Sequence, residues 1–272
     1  MNRNQMHKEY WGAKEERAAI AVQHTTNMAI RYPNLIAFSV KNSAIYTPNY
    51  PFNYFKMNTR SHGVENISVY DEDTVKALMI EISFPNNPGN VAVLNFASFK
   101  NPGGKFIQGS MAQEESLCHV SFLYNVLKEF DSTFYAYNRS HVNRSMYMDR
   151  AIYSPNIRFE HNPKYVSCGV ITCAAPNIGA GSKYYGVTDS ENCTALYSRC
   201  KFVLDIAEDQ CVDTLILGAF GCGVFRQNPY TVANMFKKLL TNYKYRFSRV
   251  IFAIPNSGHG KENYIAFKSI FE

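Results

Sequence analysis

The sequence predicts an α/β fold in which a mostly parallel sheet carries helices on both faces. From residue 67 onward, short apolar strands alternate with amphipathic helices, which is the pattern of a layered α/β domain. The segment Thr-Leu-Ile-Leu at residues 214–217 is typical of a strand that is buried on both faces of a parallel sheet. The chain has 272 residues, of which 46% are hydrophobic and 18% charged, so it can bury a sizeable core.

The first 66 residues differ in pattern from the rest of the chain. Apolar positions among charged ones predict a helix over residues 8–32, which ends there because Pro33 pushes the preceding residue out of the helical region. Residues 33–66 show no clear period and are expected to form a long loop with a short strand at 36–40. We expect residues 1–66 to be a helical and irregular extension that packs on the core.

Residues 67–272 form the predicted core, in which the helices at 112–130 and 190–209 show apolar stripes. The predicted strands are residues 67–70, 91–95, 151–154, 165–172, 214–217 and 250–254. The predicted helices are residues 74–82, 112–130, 190–209, 229–243 and 261–271. The connection at residues 131–150 is rich in Tyr, Asn and Arg and has no clear periodicity.

Composition and cysteine spacing narrow the classes of function. No apolar run of about 18 residues occurs, so no transmembrane helix is predicted, and without the apolar core of a signal peptide we expect a cytoplasmic protein. The seven cysteines form no Cys-x-x-Cys pair and no zinc-like spacing with histidine, so we expect no metal site and no cofactor. The net charge of +6, without a basic run, suits an anionic small ligand and a transient nucleic-acid contact equally.

Three predicted strands end in unusual loops, at residues 95–104, 174–177 and 218–225. Ligands of open α/β sheets bind outside the carboxyl ends of the strands, so these loops should converge on one crevice. We call residues 95–104 the first glycine loop and residues 218–225 the second glycine loop.

The second glycine loop, Gly-Ala-Phe-Gly-Cys-Gly-Val-Phe, places three glycines between a buried strand and a helix. Glycine permits close backbone approach, so the N–H groups of this loop can face a diphosphate; a tight turn without a ligand is the alternative. The loop is neither the dinucleotide fingerprint nor a P-loop. Phe225 is a candidate to stack on a ribose or a base, or else belongs to the core.

Two adjacent acids, Glu114 and Glu115, follow the first glycine loop at the predicted start of a helix. Adjacent helical residues point about 100° apart, so these two cannot face each other across a bond as the carboxylates of ordinary glycosidases do. One of them can reach a ligand while the other packs sideways. A carboxylate near a helix start also complements the helix dipole, so a purely structural role stays open.

Other polar residues near the predicted crevice are assigned structural roles. Asp71, Asp73, Asp189 and Glu191 lie near predicted helix starts and are expected to cap helices. His259 follows the last strand, where a loop histidine is more often incidental. No Ser-His-Asp or Cys-His arrangement has a recognisable local context.

Together these motifs resemble the macrodomain superfamily and, within it, the microbial-type poly(ADP-ribose) glycohydrolases. Asn-Pro-Gly-Gly at residues 101–104, followed by Gln-Glu-Glu at 113–115, is similar to the signature of that family. Residues 218–225 resemble its second phosphate loop, and Ala-Ala-Pro-Asn at 174–177 is a third match. The resemblance implies a three-layer macrodomain sandwich and covers nearly the whole chain, because the family also has a helical N-terminal extension.

The resemblance implies an enzyme that releases ADP-ribose from an ADP-ribosylated protein or nucleic acid, with the diphosphate between the two glycine loops. By motif position, Glu115 is the implied catalytic acid/base, and Glu114 helps to orient the adjoining ribose. The implied ligand-binding residues are Asn95, Phe96, Ala97, Ser98, Gly103, Gly104, Gln113, Asn177, Gly218, Phe220, Gly221, Cys222, Gly223, Val224 and Phe225.

One position departs from the family signature, which usually has three consecutive glycines where this chain has Gly103, Gly104 and Lys105. A lysine at this place either crowds the ribose that is cleaved or contacts a phosphate, so poly- and mono-ADP-ribose both stay open as substrates. A non-catalytic macrodomain that only binds ADP-ribose or a related nucleotide is the second hypothesis, and a nucleotide-sugar or NAD-derivative binder is the third. The intact Gln-Glu-Glu triplet favours the enzyme, because a protein that only binds ADP-ribose does not need it.

Overall fold

The structure is a computed structural model that describes residues 3–52, 64, 66–83, 89–161 and 164–272, without the side chains of residues 3–12 and 259. Its strands are β1 (Ala44–Tyr46), β2 (Asn66–Tyr70), β3 (Val91–Phe96), β4 (Ala151–His161), β5 (Lys164–Cys173), β6 (Thr214–Leu217) and β7 (Arg249–Ala253). Its α-helices are α1 (Arg3–Arg31), α2 (Pro33–Asn42), α3 (Thr74–Ser83), α4 (Gln113–His119), α5 (Leu123–Leu127), α6 (Ala136–Ser140), α7 (Ile178–Tyr185), α8 (Asp189–Asp209), α9 (Pro229–Asn242) and α10 (Lys261–Phe271).

The strands form one mixed sheet in the order β1-β4-β5-β3-β6-β7-β2. The five strands β5, β3, β6, β7 and β2 run parallel to one another, and β4 and β1 add an antiparallel edge. The predicted α/β fold with a mostly parallel sheet is therefore confirmed. Because β5, β3 and β6 are adjacent and parallel, the loops that follow these strands lie side by side at the carboxyl ends of the strands.

The two faces of the sheet pack against different sets of helices, which gives three layers. Successive residues of β3 point to opposite faces: Val93 belongs to the same buried cluster as Leu78 of α3 and Leu123 of α5. Leu94 belongs to the other cluster, together with Phe236 of α9. Such alternation buries β3 on both sides and fixes its register in the centre of the sheet.

The prediction of a strand at residues 36–40 is wrong, because this segment lies inside helix α2. Pro33 occupies the first turn of α2, where a missing N–H group costs nothing and the fixed φ angle suits a helix. The short strand of this region is instead β1, whose Ala44 pairs with Tyr153 of β4. The rest of the predicted loop at residues 53–63, and residue 65, lie outside the described residues.

The single helix predicted over residues 112–130 is also wrong, because it is interrupted between α4 and α5. At the interruption, the hydroxyl of Ser121 donates to the Leu117 carbonyl and accepts from the N–H of Leu123. The Val120 carbonyl accepts from the N–H of Glu160 in β4, at 2.7 Å. These bonds replace the helical ones and shorten α4 to the seven residues that carry both glutamates.

The connection at residues 131–150 is ordered by turns rather than by a periodic element. It contains a π-helical turn at Asp131–Tyr135, helix α6 and a 3-10 turn at Asn143–Ser145. Tyr147 has a φ of 60°. The buried Arg199 of α8 holds this connection through a 2.6 Å bond from its Nε to Oδ1 of Asp149 and a contact to the Met146 carbonyl.

The described residues contain neither a membrane-spanning helix nor a metal-binding cluster. None of their helices is long and apolar enough to cross a membrane. No group of three or more His, Cys, Asp or Glu side chains within that part of the chain could hold a metal ion.

Candidate active site

A cavity of about 550 Å³ opens at the carboxyl end of β3, between the two glycine loops. Its wall is formed by residues 96–101, 104–105 and 110–112, by Glu114 and Glu115, and by Tyr147, Val224 and Phe225. We call it the glutamate cavity. The first and second glycine loops therefore converge as predicted, whereas the third predicted loop, residues 174–177, does not line this cavity.

Gly103 and Gly104 allow the backbone of the first glycine loop to lie against the two carboxylates. Both have a φ of 63°, a backbone angle that residues other than glycine rarely adopt. A Cβ at Gly104 would lie 2.5 Å from Oε1 of Glu115 and 2.9 Å from Oε2 of Glu114. A Cβ at Gly103 would lie 2.7 Å from the ring of Tyr124. The protein's own packing therefore requires glycine at both positions.

Glu115 is held at the cavity wall by two backbone N–H groups. Its Oε1 accepts from the N–H of Lys105 at 2.8 Å, and its Oε2 accepts from the N–H of Ala112 at 2.9 Å. The second bond is the contact that a third-position glutamate makes to the residue that caps its helix. The carboxylate thus joins the end of the first glycine loop to the start of α4, in a fixed orientation.

Glu114 lies deeper and has different partners. Its Oε2 accepts from the N–H of Ser98 at 2.7 Å, and its Oε1 accepts from the side-chain amide of Asn95 at 3.2 Å. Burial raises the pKa of Glu114 to about 8, although these two hydrogen bonds favour the charged form. Burial thus shifts Glu114 toward its protonated form. The adjacent glutamates face separate partners, as the helical geometry predicted.

Gln113 fastens the start of α4 to the end of β3. Its Oε1 accepts from the N–H of Phe96 at 2.8 Å, and its Nε2 donates to the Leu94 carbonyl at 2.9 Å and to the hydroxyl of Thr74 at 3.2 Å. Both ends of the amide thus bind protein groups. These hydrogen bonds fix the position of Glu114 and Glu115 relative to the sheet.

The three glycines of the second glycine loop have different surroundings. A Cβ at Gly218 would lie 2.8 Å from the Ala253 carbonyl oxygen, and one at Gly221 would lie 2.7 Å from the Cβ of Ala175. Gly221 also has a φ of 78°. A Cβ at Gly223 would meet no atom within 4 Å. Gly218 and Gly221 are thus required by packing, whereas Gly223 leaves open surface beside the cleft.

The end of the second glycine loop offers unused donors. None of the hydrogen bonds between described residues uses the N–H groups of Gly223, Val224 or Phe225. Val224 is 81% exposed, although it is apolar, and it lines the glutamate cavity. In contrast, Phe220 is fully buried, and Cys222 is half-buried with its pKa raised to about 12 by burial.

An aromatic group closes one side of the glutamate cavity. The rings of Phe99 and Tyr147 stack at 4.3 Å with 12° between their planes, and Tyr147 meets Phe225 edge-on at 5.9 Å. Phe225 is partly buried against this cluster and against the core, and its stacking on a ribose or a base stays a prediction. Sequence reasoning missed Tyr147, because residues 131–150 show no periodicity that would place it.

Asn177 caps helix α7 and does not line the glutamate cavity. Its side-chain oxygen accepts from the N–H of Ala180 at 3.0 Å, and its own N–H donates to the Ser145 carbonyl at 2.9 Å. Its implied contact with a ligand stays a prediction.

A second cavity of about 410 Å³ adjoins the first and shares Phe96, Met111 and Ala112 with it. It extends to the start of α3, to Gly223 and to the residues after β7. Asp73 caps α3 there, as predicted: its carboxylate accepts from the N–H groups of residues 75 and 76 at 2.9 and 3.0 Å. We call this second cavity the α3 cavity. The two cavities form one elongated cleft.

Two lysines lie on the wall of the glutamate cavity. Lys100 and Lys105 are both exposed, and neither forms an ion pair with any described residue. The rim beside Glu115 therefore carries positive charge that is available to an anionic ligand.

A comparison with family models shows to which protein family the chain belongs. The model of the microbial-type poly(ADP-ribose) glycohydrolase catalytic domain matches residues 13–161, which is more than half of the chain and includes the Gln-Glu-Glu triplet.

The chain belongs to the microbial-type poly(ADP-ribose) glycohydrolase family.

Solved structures of the family agree with this assignment. Poly(ADP-ribose) glycohydrolase from Thermomonospora curvata is 28% identical, with a TM-score of 0.81 over 94% of this chain and 100% of that one. The same enzyme bound to the inhibitor ADP-HPD is 29% identical, with a TM-score of 0.78 over 94% and 99%. The Deinococcus radiodurans enzyme in complex with ADP-ribose is 32% identical, with a TM-score of 0.78 over 88% and 97%. No curated protein sequence matches the chain.

Lys105, the departure from the glycine signature of the family, fits its position without strain. Its φ and ψ are −115° and 32°, outside the left-handed region that favours glycine. Its side chain is exposed, and its N–H group makes the bond to Glu115. The substitution therefore leaves the backbone contact to the carboxylate intact and adds a cation at the rim.

Proposed function

We propose that the protein is an ADP-ribosyl glycohydrolase that releases ADP-ribose from an ADP-ribosylated macromolecule, with Glu115 as the general acid/base. The observation that carries this proposal is the position of Glu115, which is fixed by the N–H groups of Lys105 and Ala112 in the wall of the cavity between the two glycine loops. Family membership and the ADP-ribose and ADP-HPD complexes of related enzymes support ADP-ribose as the ligand.

The unused donors of the second glycine loop suit the diphosphate. The N–H groups of Gly223, Val224 and Phe225 have no partner in the described part of the chain, and Gly223 has open space in front of it. Consecutive backbone N–H groups bind phosphate oxygens without needing a charged side chain. A diphosphate at this place puts one ribose toward Glu115 and leaves the α3 cavity for the other end of the ligand.

The chemistry needs one working acid. Cleavage of a ribose glycosidic bond passes through an oxocarbenium-like state, so a group must protonate the leaving oxygen and later take a proton from water. Glu115 is suited to both steps because two backbone donors fix its carboxylate at the cavity wall. Glu114, whose charged form is disfavoured by burial, is proposed to orient the ribose.

The macromolecule that carries ADP-ribose is proposed to be a protein or a nucleic acid, with poly- and mono-ADP-ribose both possible. Lys100 and Lys105 lie at the rim where the rest of such a substrate would emerge, and a phosphate there would meet two ammonium groups that form no ion pair within the described residues. We also propose a cytoplasmic location, and a division of the chain into an extension (residues 1–66) and a catalytic core (67–272).

The decisive experiment compares the wild type with Glu115→Gln and a matched control, Glu129→Gln, on an exposed turn outside the cavity. Each protein is incubated with mono- and poly-ADP-ribosylated protein and with ADP-ribosylated DNA, and free ADP-ribose is measured. Loss of the acid/base should lower the rate by about 10²–10⁴-fold in Glu115→Gln, while ADP-ribose binding is kept and Glu129→Gln stays fully active.

Two results would contradict the proposal in different ways. A wild type that binds ADP-ribose but releases none from any substrate would show a non-catalytic macrodomain. A fully active Glu115→Gln would leave the enzyme in place but remove the role given to this residue.

A further inference from the structure

Helix α1 contacts the backbone of the turn at residues 105–110. Nε of Arg17 donates to the Gly109 carbonyl at 2.9 Å, across 92 positions of sequence. Gly109 has a φ of 76°, and a Cβ built on it would overlap the carbonyl oxygen of Lys14 in α1. The helix and the turn are therefore in direct contact, with no room for a side chain between them.

Phe106 anchors the same turn from below. It is fully buried, its ring lies edge-on to His24 of α1 at 6.3 Å, and it lies edge-on to His119 of α4 at 4.7 Å. Ala21, one turn before His24, is also fully buried. One aromatic side chain thus fills the space between α1 and the helix that carries both glutamates.

The turn is closed by its own hydrogen bonds. The Lys105 carbonyl accepts from the N–H groups of Gln108 and Ser110 at 3.0 and 3.2 Å, and the Phe106 carbonyl accepts from the N–H of Gly109 at 3.0 Å. A turn linked in this way moves as one unit, because any shift at Gly109 must break or carry these bonds.

One of the two N–H groups that bind Glu115 lies at the start of this turn, and the other lies just after its end. Lys105 donates to Oε1 and Ala112 donates to Oε2, and Gly109 lies between them in the chain. The Arg17 guanidinium is bound to the middle of the segment whose ends fix the carboxylate. A carboxylate bound on both sides of a clamped turn has little freedom to rotate.

We infer that α1 is part of the catalytic apparatus and that Arg17 is a positioning residue for Glu115, acting through Gly109 and the turn at 105–110; this inference rests on the function proposed above. Arg17 does not line the cavity that contains Glu115. Its effect is therefore on the orientation of the carboxylate and not on the binding of the ligand.

The test uses the full chain with Arg17→Ala, Arg17→Lys and a matched control, Arg31→Ala. Arg31 lies on the same helix but pairs with Glu160, at 2.9 Å, away from the turn. A small misplacement of a catalytic group lowers kcat by about tenfold to a hundredfold, and this loss is expected for Arg17→Ala with KM and ADP-ribose affinity unchanged. Arg17→Lys, which keeps a charged donor, should recover much of kcat, and Arg31→Ala should match the wild type.

Amide hydrogen exchange supplies a readout that does not depend on turnover. The N–H groups of Lys105 and Ala112 should exchange faster in Arg17→Ala than in the wild type or in Arg31→Ala, because their bonds to Glu115 are loosened. If the wild type releases no ADP-ribose, the proposed function fails, and the exchange of these two amides alone still decides the role of Arg17.

The inference is overturned if Arg17→Ala keeps its kcat and the protection of both amides. It is equally overturned if kcat, ADP-ribose affinity and melting temperature all fall together in Arg17→Ala, since α1 would then only support the fold. If Arg17→Ala does not fold at the assay temperature, Arg17→Gln, which keeps a neutral donor, is tested in its place. The same comparison is then made, between its kcat and its affinity for ADP-ribose.

Discussion

In the first glycine loop, Gly103 and Gly104 make room for the protein's own side chains, whereas in the second glycine loop Gly223 faces open space. The first loop is closed: a Cβ at Gly104 would collide with both glutamate carboxylates. The second loop is closed at Gly218 and Gly221 but leaves three consecutive N–H groups without a partner in the described part of the chain.

This difference teaches that the two loops do separate tasks, although both look like phosphate loops in the sequence. The first one positions the acids, because its Ser98 N–H donates to Glu114, the N–H of Lys105 directly after it donates to Glu115, and its shape admits both carboxylates. The second one has three N–H groups without a partner among the described residues, which suits the diphosphate that we propose to bind there. Substitutions in the first loop should therefore affect the chemical step, and substitutions near Gly223 should affect binding.

Among substitutions in the two glycine loops, the largest effect is expected for Gly104→Ala. The added methyl would lie 2.5 Å from Oε1 of Glu115 at a position with a φ of 63°, so the carboxylate must move. Displacement of a catalytic group by about 1 Å costs on the order of 10²-fold in rate, and we expect a loss of this size in ADP-ribose release.

Gly186→Ala is the matched control for Gly104→Ala. Gly186 has a φ of 61°, but a Cβ on it would meet nothing within 4 Å, so it carries the same backbone cost without the collision. Both variants should lose stability, by about 1 kcal/mol for the backbone alone. Equal activity of the two variants would show that the collision with Glu115 does not matter.

The next effect concerns pH and the burial of Glu114 behind the first loop. Its pKa is 4.5 ordinarily and about 8 in the fold, so the stability that the protonated form contributes is complete below about pH 4.5 and is lost as pH rises toward 8. The free energy of unfolding of the wild type should fall relative to Glu114→Gln across this window, by at most about 1.4 kcal/mol per pH unit.

Urea unfolding of both proteins between pH 4 and 9 measures this difference. Parallel curves for the wild type and Glu114→Gln would mean that the carboxyl is not protonated in the folded state. The first loop would then hold two charged acids instead of one.

A smaller effect is expected for Gly223→Ala in the second loop. The fold has space for the methyl group, so the melting temperature should not change. Because the methyl stands where a phosphate would approach, ADP-ribose binding should weaken by up to about tenfold, or about 1.4 kcal/mol, as titration calorimetry can measure. Gly221→Ala, which collides with Ala175, should instead lower the melting temperature; the reverse result would contradict the division within this loop.

The smallest effect is expected for Lys105→Gly, which restores the glycine of the family signature. The backbone at Lys105 does not need glycine and its side chain is exposed, so kcat should be kept and KM for poly(ADP-ribose) should rise modestly as a cation is lost. Lys105→Ala separates this loss from the added backbone freedom. Faster release from poly(ADP-ribose) in both variants would show that the lysine crowds the substrate.

Local patterns predicted much of the fold. The strand at residues 214–217 and the helix at 261–271 have the predicted bounds, and α8 begins one residue before its predicted start. Each of these elements has a clear apolar period or run that its own residues determine. Residues 36–40 misled because a short apolar segment fits a strand and a helix equally well.

Contacts between distant residues explain what could not be predicted. The break at Ser121 depends on the N–H of Glu160, and the wall formed by Tyr147 depends on Phe99. Within the site, the motif placed Glu114 and Glu115 beside the glycine loops. The bond from Arg17 to Gly109 has no local signal, since a helical arginine is usually solvated.

The three residues that line both cavities, Phe96, Met111 and Ala112, have a consequence for inhibitor design. Two small fragments, one bound in each cavity, would both lie next to these residues, so a short linker could join them. Linking raises the effective concentration of the second fragment and multiplies affinity without any new contact, provided that the linker spans the distance between the fragments. Met111, which is 70% exposed and unbranched, can shift to admit such a linker.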